Sequence, residues 1–136
     1  RKSQLPAFFL GRQQPFYLPE SELDIMIVLW KQKNDMSRSE IEKIVNQKKT
    51  LAPTTILTLL SRLEKKGFVS VNRDGNLNKY RWLVSQTEYQ QKEGKGMLEK
   101  LYGNSVKNFV AALYQGREID DEDLKELEGF LKELNR

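Results

Sequence analysis

A chain of 136 residues suits one domain with a small appendage, and it can bury a core without a disulfide or a metal. It contains no cysteine and no histidine, which excludes a disulfide framework, the usual Cys/His zinc sites and every nucleophile system that relies on an imidazole. The net charge of +4 is uneven, +7 over residues 1–84 and −3 over residues 85–136, so a basic, polyanion-binding part is expected to precede an acidic one.

No apolar run approaches the roughly 20 residues of a membrane span, so no membrane insertion is expected. Residues 1–18 read as an N-terminal tail, flexible or not native, punctuated by Pro6, Gly11 and Pro15. The stretch from Leu5 to Leu10 is too short and proline-broken for a signal peptide, and a cytoplasmic chain is expected.

The first helix is expected from Glu20 to Lys33, with Leu23, Met26, Ile27 and Trp30 at i, i+3, i+4 and i+7 as its apolar stripe, widened by Ile25, Val28 and Leu29. Asn34-Asp35 reads as a turn. A capping box, Ser37 with Glu40, opens the second helix, whose inward residues are Ile41, Ile44 and Val45. The third runs from Pro53, suited to a first helical position, to Lys66, with Ile56, Leu59, Leu60 and Leu63 inward and Gly67 beyond its end. The period then changes. Residues 68–71 and 79–83 read as short strands joined around Asp74-Gly75, a hairpin. Ser85 with Glu88 opens a fourth helix to about Leu101, weakened by Gly94 and Gly96, and Gly103-Asn104 breaks it. A fifth spans Ser105 to Tyr114 and stops at Gly116. A sixth starts near Asp120, its early acidic residues suiting the helix dipole.

Three helices followed by a hairpin form a winged helix-turn-helix. The fold class is mainly α with a small β-hairpin: a winged-helix DNA-binding domain over 19–84 and a helical dimerisation region over 85–136. The leucine stripe commits one side of the third helix to the core, and the other side presents Thr54, Thr55, Thr58, Ser61 and Arg62. Small hydroxyl residues and one cation suit a major groove about 12 Å wide. The hairpin adds Arg73, Lys79 and Arg81, and the second helix adds Arg38, as cations for phosphates. The dimerisation stripe is Val106, Phe109, Val110 and Leu113, then Leu124, Leu127, Phe130, Leu131 and Leu134, since a terminal helix has little core of its own to cover. The expected partners are a double-stranded DNA operator and a second copy of the chain. No catalytic set, metal ligands or cofactor motif are expected, and no motif names an upstream sensor.

From about Leu18 to its end, the chain resembles the penicillinase-repressor family (BlaI/MecI/CopY-like). The matching residues are Glu22 through Trp30, Ala52 through Phe68, Leu83 to Ser85 with Tyr89, Lys100 to Gly103, Val110 to Leu113, and the acidic segment from Ile119 to Leu134. The resemblance implies a cytoplasmic repressor that dimerises through C-terminal helices and binds palindromic operators. It carries the DNA contacts onto Thr54, Thr55, Thr58 and Arg62. In antibiotic-responsive members an Asn-Phe bond in the fourth helix is cleaved. Here Gly96-Met97 stands at that place, and the pair Asn108-Phe109 lies in the fifth helix, outside the match. Copper-responsive members use a C-terminal cysteine cluster, which this chain lacks. Two rival readings are a winged-helix module that binds protein instead of DNA, and an enzyme working through Asp120 to Asp123.

Overall fold

A computed structural model of the chain describes residues 17–32 and 35–136. Residues 1–16 of the expected tail, with Lys33 and Asn34 at the expected end of the first helix, lie outside the described residues. The chain divides into two compact units, one ending at Glu93 and one running from Gly94 to Arg136.

In the first unit, α1 (Glu20–Lys31), β1 (Met36–Ser37), α2 (Arg38–Val45), α3 (Pro53–Lys65), β2 (Val69–Asp74) and β3 (Leu77–Trp82) lead into α4 (Gln86–Tyr102). The start of α2 is fixed by the expected capping box: the Ser37 hydroxyl accepts the Glu40 N–H at 3.3 Å, and the Ser37 N–H donates to Glu40 Oε1 at 2.8 Å. Pro53 opens α3 with no side-chain cap from Ala52. At the other end Gly67 takes φ 81°, where a side chain would be strained. Its N–H reaches Glu64 O at 3.0 Å and the Phe68 N–H reaches Leu63 O at 2.9 Å, which closes α3 and directs the chain straight into β2.

The sheet is antiparallel in the order β1-β3-β2. Met36 pairs with Tyr80 and Ser37 with Lys79, while Val69 pairs with Trp82 through to Asp74 with Leu77. The two hairpin strands therefore run further than the sequence pattern suggests, because polar residues at 72–74 and 77–78 extend the ladder without apolar alternation. The loop is Gly75-Asn76, with a positive φ of 65° at Gly75 alone, the pattern of a type II′ turn. Strand β1 is an addition: two residues carry no period that marks a strand.

The core of this unit joins Ile25, Met26 and Leu29 of α1, Ile41 and Val45 of α2, Ile56, Leu59, Leu60 and Leu63 of α3, and Phe68, Val69 and Tyr80 of the hairpin. Leu18, placed in the tail by sequence, is also buried there, and its N–H donates to Tyr89 Oη at 3.0 Å. Burial raises the Tyr89 phenol above its ordinary value. The Tyr89 ring meets Phe68 edge-on at 6.1 Å and Trp30 at 5.7 Å. The first turns of α4 thus pack with this unit.

On α1 the buried face is Glu22, Ile25, Met26 and Leu29, the expected spacing displaced by one residue. Leu23, Ile27 and Trp30 are half-buried. The displacement puts a carboxylate inside, which is tolerated because Lys66 Nζ lies 2.6 Å from Glu22 Oε1.

The second unit comprises α4 from Gly94, α5 (Val106–Gln115) and α6 (Asp121–Leu134). Helix α4 continues through Gly94 and Gly96. Ser105 caps α5, and Asp120 with Asp123 forms a capping box on α6. The residue in left-handed conformation after α5 is Arg117 rather than Gly116, at φ 61°. Its position follows from the cap, since the Glu118 N–H reaches Leu113 O and the Arg117 N–H reaches Tyr114 O. No residue of α5 or α6 is fully buried.

Candidate nucleic-acid interface

Along α3 the burial of Ile56, Leu59, Leu60 and Leu63 sets what faces outward. Thr54, Leu57, Thr58 and Ser61, at i, i+3, i+4 and i+7, form one exposed line, with Thr55 and Arg62 exposed beside it. The Thr58 hydroxyl donates to Thr54 O at 3.0 Å, so its remaining lone pairs point outward as acceptors. Without a side-chain cap, the first N–H groups of α3 keep their capacity to meet an anion.

The wing is held against both other helices of the motif. Gly67 and Phe68 join it to the end of α3, and the β1–β3 pairing joins it to the start of α2. This brings Arg38 and Ser39 of α2, Leu57 of α3, and Arg73, Asn76, Leu77 and Asn78 of the wing around one open cleft of about 190 Å³.

Strand alternation divides the wing cations that sequence grouped together. Arg73 pairs with Asn78 across the hairpin, whereas Lys79 pairs with Asn72 and Arg81 with Ser70. Side chains one residue apart point to opposite faces, so Arg73 stands on the opposite face of the hairpin from Lys79 and Arg81, although Arg73 and Lys79 both border an open cleft with Asp35, Asn72 and Asp74. Those two are engaged elsewhere. Lys79 Nζ lies 3.3 Å from Glu40 Oε1, and Arg81 Nε lies 2.8 Å from Asp35 Oδ1. The Ser37 N–H and then the Lys79 ammonium hold the Glu40 carboxyl below its usual range, and Asp35 raises Arg81 further. Arg38 pairs with Glu42 one turn along α2. Among the described residues, Arg62 and Arg73 have no ion pair.

Of the residues outside the sequence-based set, Leu57 shares the outer line of α3, and its signal was the same spacing that selects Thr54, Thr58 and Ser61. The carboxylates Asp35 and Glu40 were missed because their partners lie 46 and 39 residues away.

The family model described as "Penicillinase repressor" matches residues 18–133. The chain belongs to the penicillinase repressor family. It is 28% identical over 116 residues to the methicillin resistance regulatory protein MecI of Staphylococcus aureus, a match covering 85% of this chain and 94% of that one. It is 26% identical over 116 residues to the penicillinase repressor of Bacillus licheniformis, covering 85% and 90%. The solution structure of monomeric Bacillus licheniformis BlaI in complex with the blaP half-operator is 29% identical, with a TM-score of 0.48, over 56% of this chain and 92% of that one. A penicillinase repressor family member is a regulator of transcription, not an enzyme. Among the described residues, no helix is long and apolar enough to cross a membrane, and no group of three or more acidic side chains could hold a metal ion. Gly96 and Met97 lie within α4, and Asn108 and Phe109 within α5, where the Phe109 ring contacts Tyr102 at 5.2 Å.

Proposed function

We propose that this member of the penicillinase repressor family is a sequence-specific, double-stranded-DNA-binding transcriptional repressor, cytoplasmic, and that it acts as a homodimer on a palindromic operator. The observation that carries the reading is the exposed line of α3 beside a wing with an unpaired Arg73. Thr54, Thr55, Thr58 and Ser61 reach base edges in the major groove, and Arg62, Arg73 and Arg38 meet phosphates. Arg38, Lys79 and Arg81 contribute less than Arg62 and Arg73, because each must first leave a carboxylate.

The dimer half of the proposal rests on apolar surface. In α5 and α6, Val106, Phe130, Leu131 and Leu134 are exposed, and Phe109, Val110, Leu113, Leu124 and Leu127 are only half-buried. Single exposed apolar residues are ordinary, but this many on two successive helices call for a partner surface, and a second copy offers the same one. The winged-helix domain over 19–84 and the dimerisation region over 85–136 are read as these two functions. In sedimentation, the parent chain is expected at twice 15.9 kDa and Leu131→Lys at 15.9 kDa, with unchanged helix content. A dimer that survives this change would place the interface elsewhere.

The direct test is fluorescence anisotropy with the DNA upstream of the protein's own gene, as a salt series against nonspecific competitor. Tight, competitor-resistant binding by two subunits supports the proposal. Weak binding equal to competitor on every selected sequence favours a protein-binding winged helix. Thr58→Ala is expected to lose about tenfold in preference for operator over competitor. Arg73→Ala is expected to weaken binding to all sequences and to lower the slope of log affinity against log salt by about 0.9. Wild-type behaviour of both variants would sink this site assignment.

A further inference from the structure

Leu57 is not needed by the core. Its neighbours Ile56, Leu59, Leu60 and Leu63 fill the inward side of α3, while Leu57 is 45% exposed. It stands in the middle of the outward line, between Thr54 and Thr58, and it lines the cleft together with Arg38, Arg73 and Asn78. The surface there is an aliphatic centre flanked by hydroxyls and cations.

That composition selects among partners. A protein-docking patch would extend its apolar area along the helix, but the residues on the same line are Thr54, Thr58 and Ser61, and across the cleft the apolar Leu77 stands between Asn76 and Asn78. A duplex fits better, with phosphates toward Arg38 and Arg73 and base edges toward the line. In the major groove the one apolar group on a base edge is the C5 methyl of thymine. A leucine held against cytosine or guanine would leave their polar edge groups without partners, which disfavours those bases. We propose that Leu57 is a specificity-determining residue that packs on a thymine methyl in each operator half-site. The inference rests on the DNA-binding reading above.

The test uses a duplex selected by the full-length parent protein from a random oligonucleotide pool. Its thymines are replaced one at a time by deoxyuracil, which removes the methyl and leaves the pairing edge intact. The parent is expected to lose about fourfold in affinity at one thymine per half-site, the value of one buried carbon. Leu57→Ala is expected to bind the unmodified duplex more weakly and to lose nothing further at that thymine, while keeping its sensitivity at other positions. The proposal is overturned if the parent ignores every replacement, or if Leu57→Ala retains the full loss at each. Thr58→Ala serves as the neighbouring control and should keep the parent's response at the Leu57 thymine. If no sequence is enriched from the pool, the DNA-binding reading itself fails, and this inference with it. That outcome is distinguishable from the two above.

Discussion

Lys66→Met should destabilise the chain by about 3 kcal/mol, measured by urea unfolding at matched protein concentration. Glu22 is 2% exposed, on the face of α1 that otherwise carries Ile25, Met26 and Leu29. Its charge is met by Lys66 Nζ at 2.6 Å, from the residue that caps α3. Removing the lysine leaves the carboxylate inside without its cation, and that uncompensated charge is what costs. Breaking a fully buried pair costs about 3–5 kcal/mol. The Lys66 side chain is 30% exposed, so water recovers part of the loss and the lower end applies. The double variant Glu22→Met with Lys66→Met should lie within about 1 kcal/mol of the parent, because two methionines bury without desolvating a charge. The cycle separates pairing from packing: a double variant as unstable as the single one would show that the methylenes matter and the charges do not.

This pair also marks where the sequence is hard to read. The periodicity of α1 is plain, and its apolar residues are frequent enough that two adjacent stripes both satisfy it. A rule that places carboxylates outside selects the stripe of Leu23, Ile27 and Trp30. The folded chain selects the one containing Glu22, because a residue 44 positions later supplies the cation. Local pattern carries no information about that partner. The same reason hides β1, which becomes a strand only when Met36 and Ser37 meet β3. By contrast, the ends of α2, α3 and α6 were legible, since a capping box, a proline start and a glycine stop act within four residues.

The candidate interface divides along the same line. The outward residues of α3 follow from helical spacing once the core face is known, and Thr54, Thr58 and Ser61 stand where the period places them. Leu57 is legible by the same spacing, which sets it apart from Ile56 and Leu60, but an apolar side chain carries no sequence signal for an outward-facing role. The wing cations could be named but not sorted. Whether Arg73 and Lys79 share a face depends on the parity of the hairpin register, and that depends on the loop being Gly75-Asn76. A loop one residue longer, 75–77, would pair Arg73 with Lys79 and bring both to one face.

Phe68→Ala is expected to cost about 3–5 kcal/mol of stability and, below its unfolding temperature, more DNA affinity than Arg73→Ala. Phe68 is 1% exposed and stands where three elements meet. Its N–H closes α3 on Leu63 O, its carbonyl accepts the Leu83 N–H at 2.7 Å at the base of the hairpin, and its ring packs edge-on to Tyr89 of α4. Alanine keeps both backbone bonds but leaves a cavity the size of a ring beneath the hairpin. The wing is then tethered to α3 with no side chain to set its angle, and the cleft between Arg73 and Leu57 loses its geometry. Phe68→Leu, which refills most of the volume, should cost less than about 1.5 kcal/mol and restore most of the affinity. Arg73→Ala, on the exposed wing, should leave stability within about 0.5 kcal/mol of the parent. Stability and binding therefore fall together for Phe68 and separate for Arg73. A Phe68→Ala variant as stable as the parent would mean the ring is not the joint between the recognition helix and the wing.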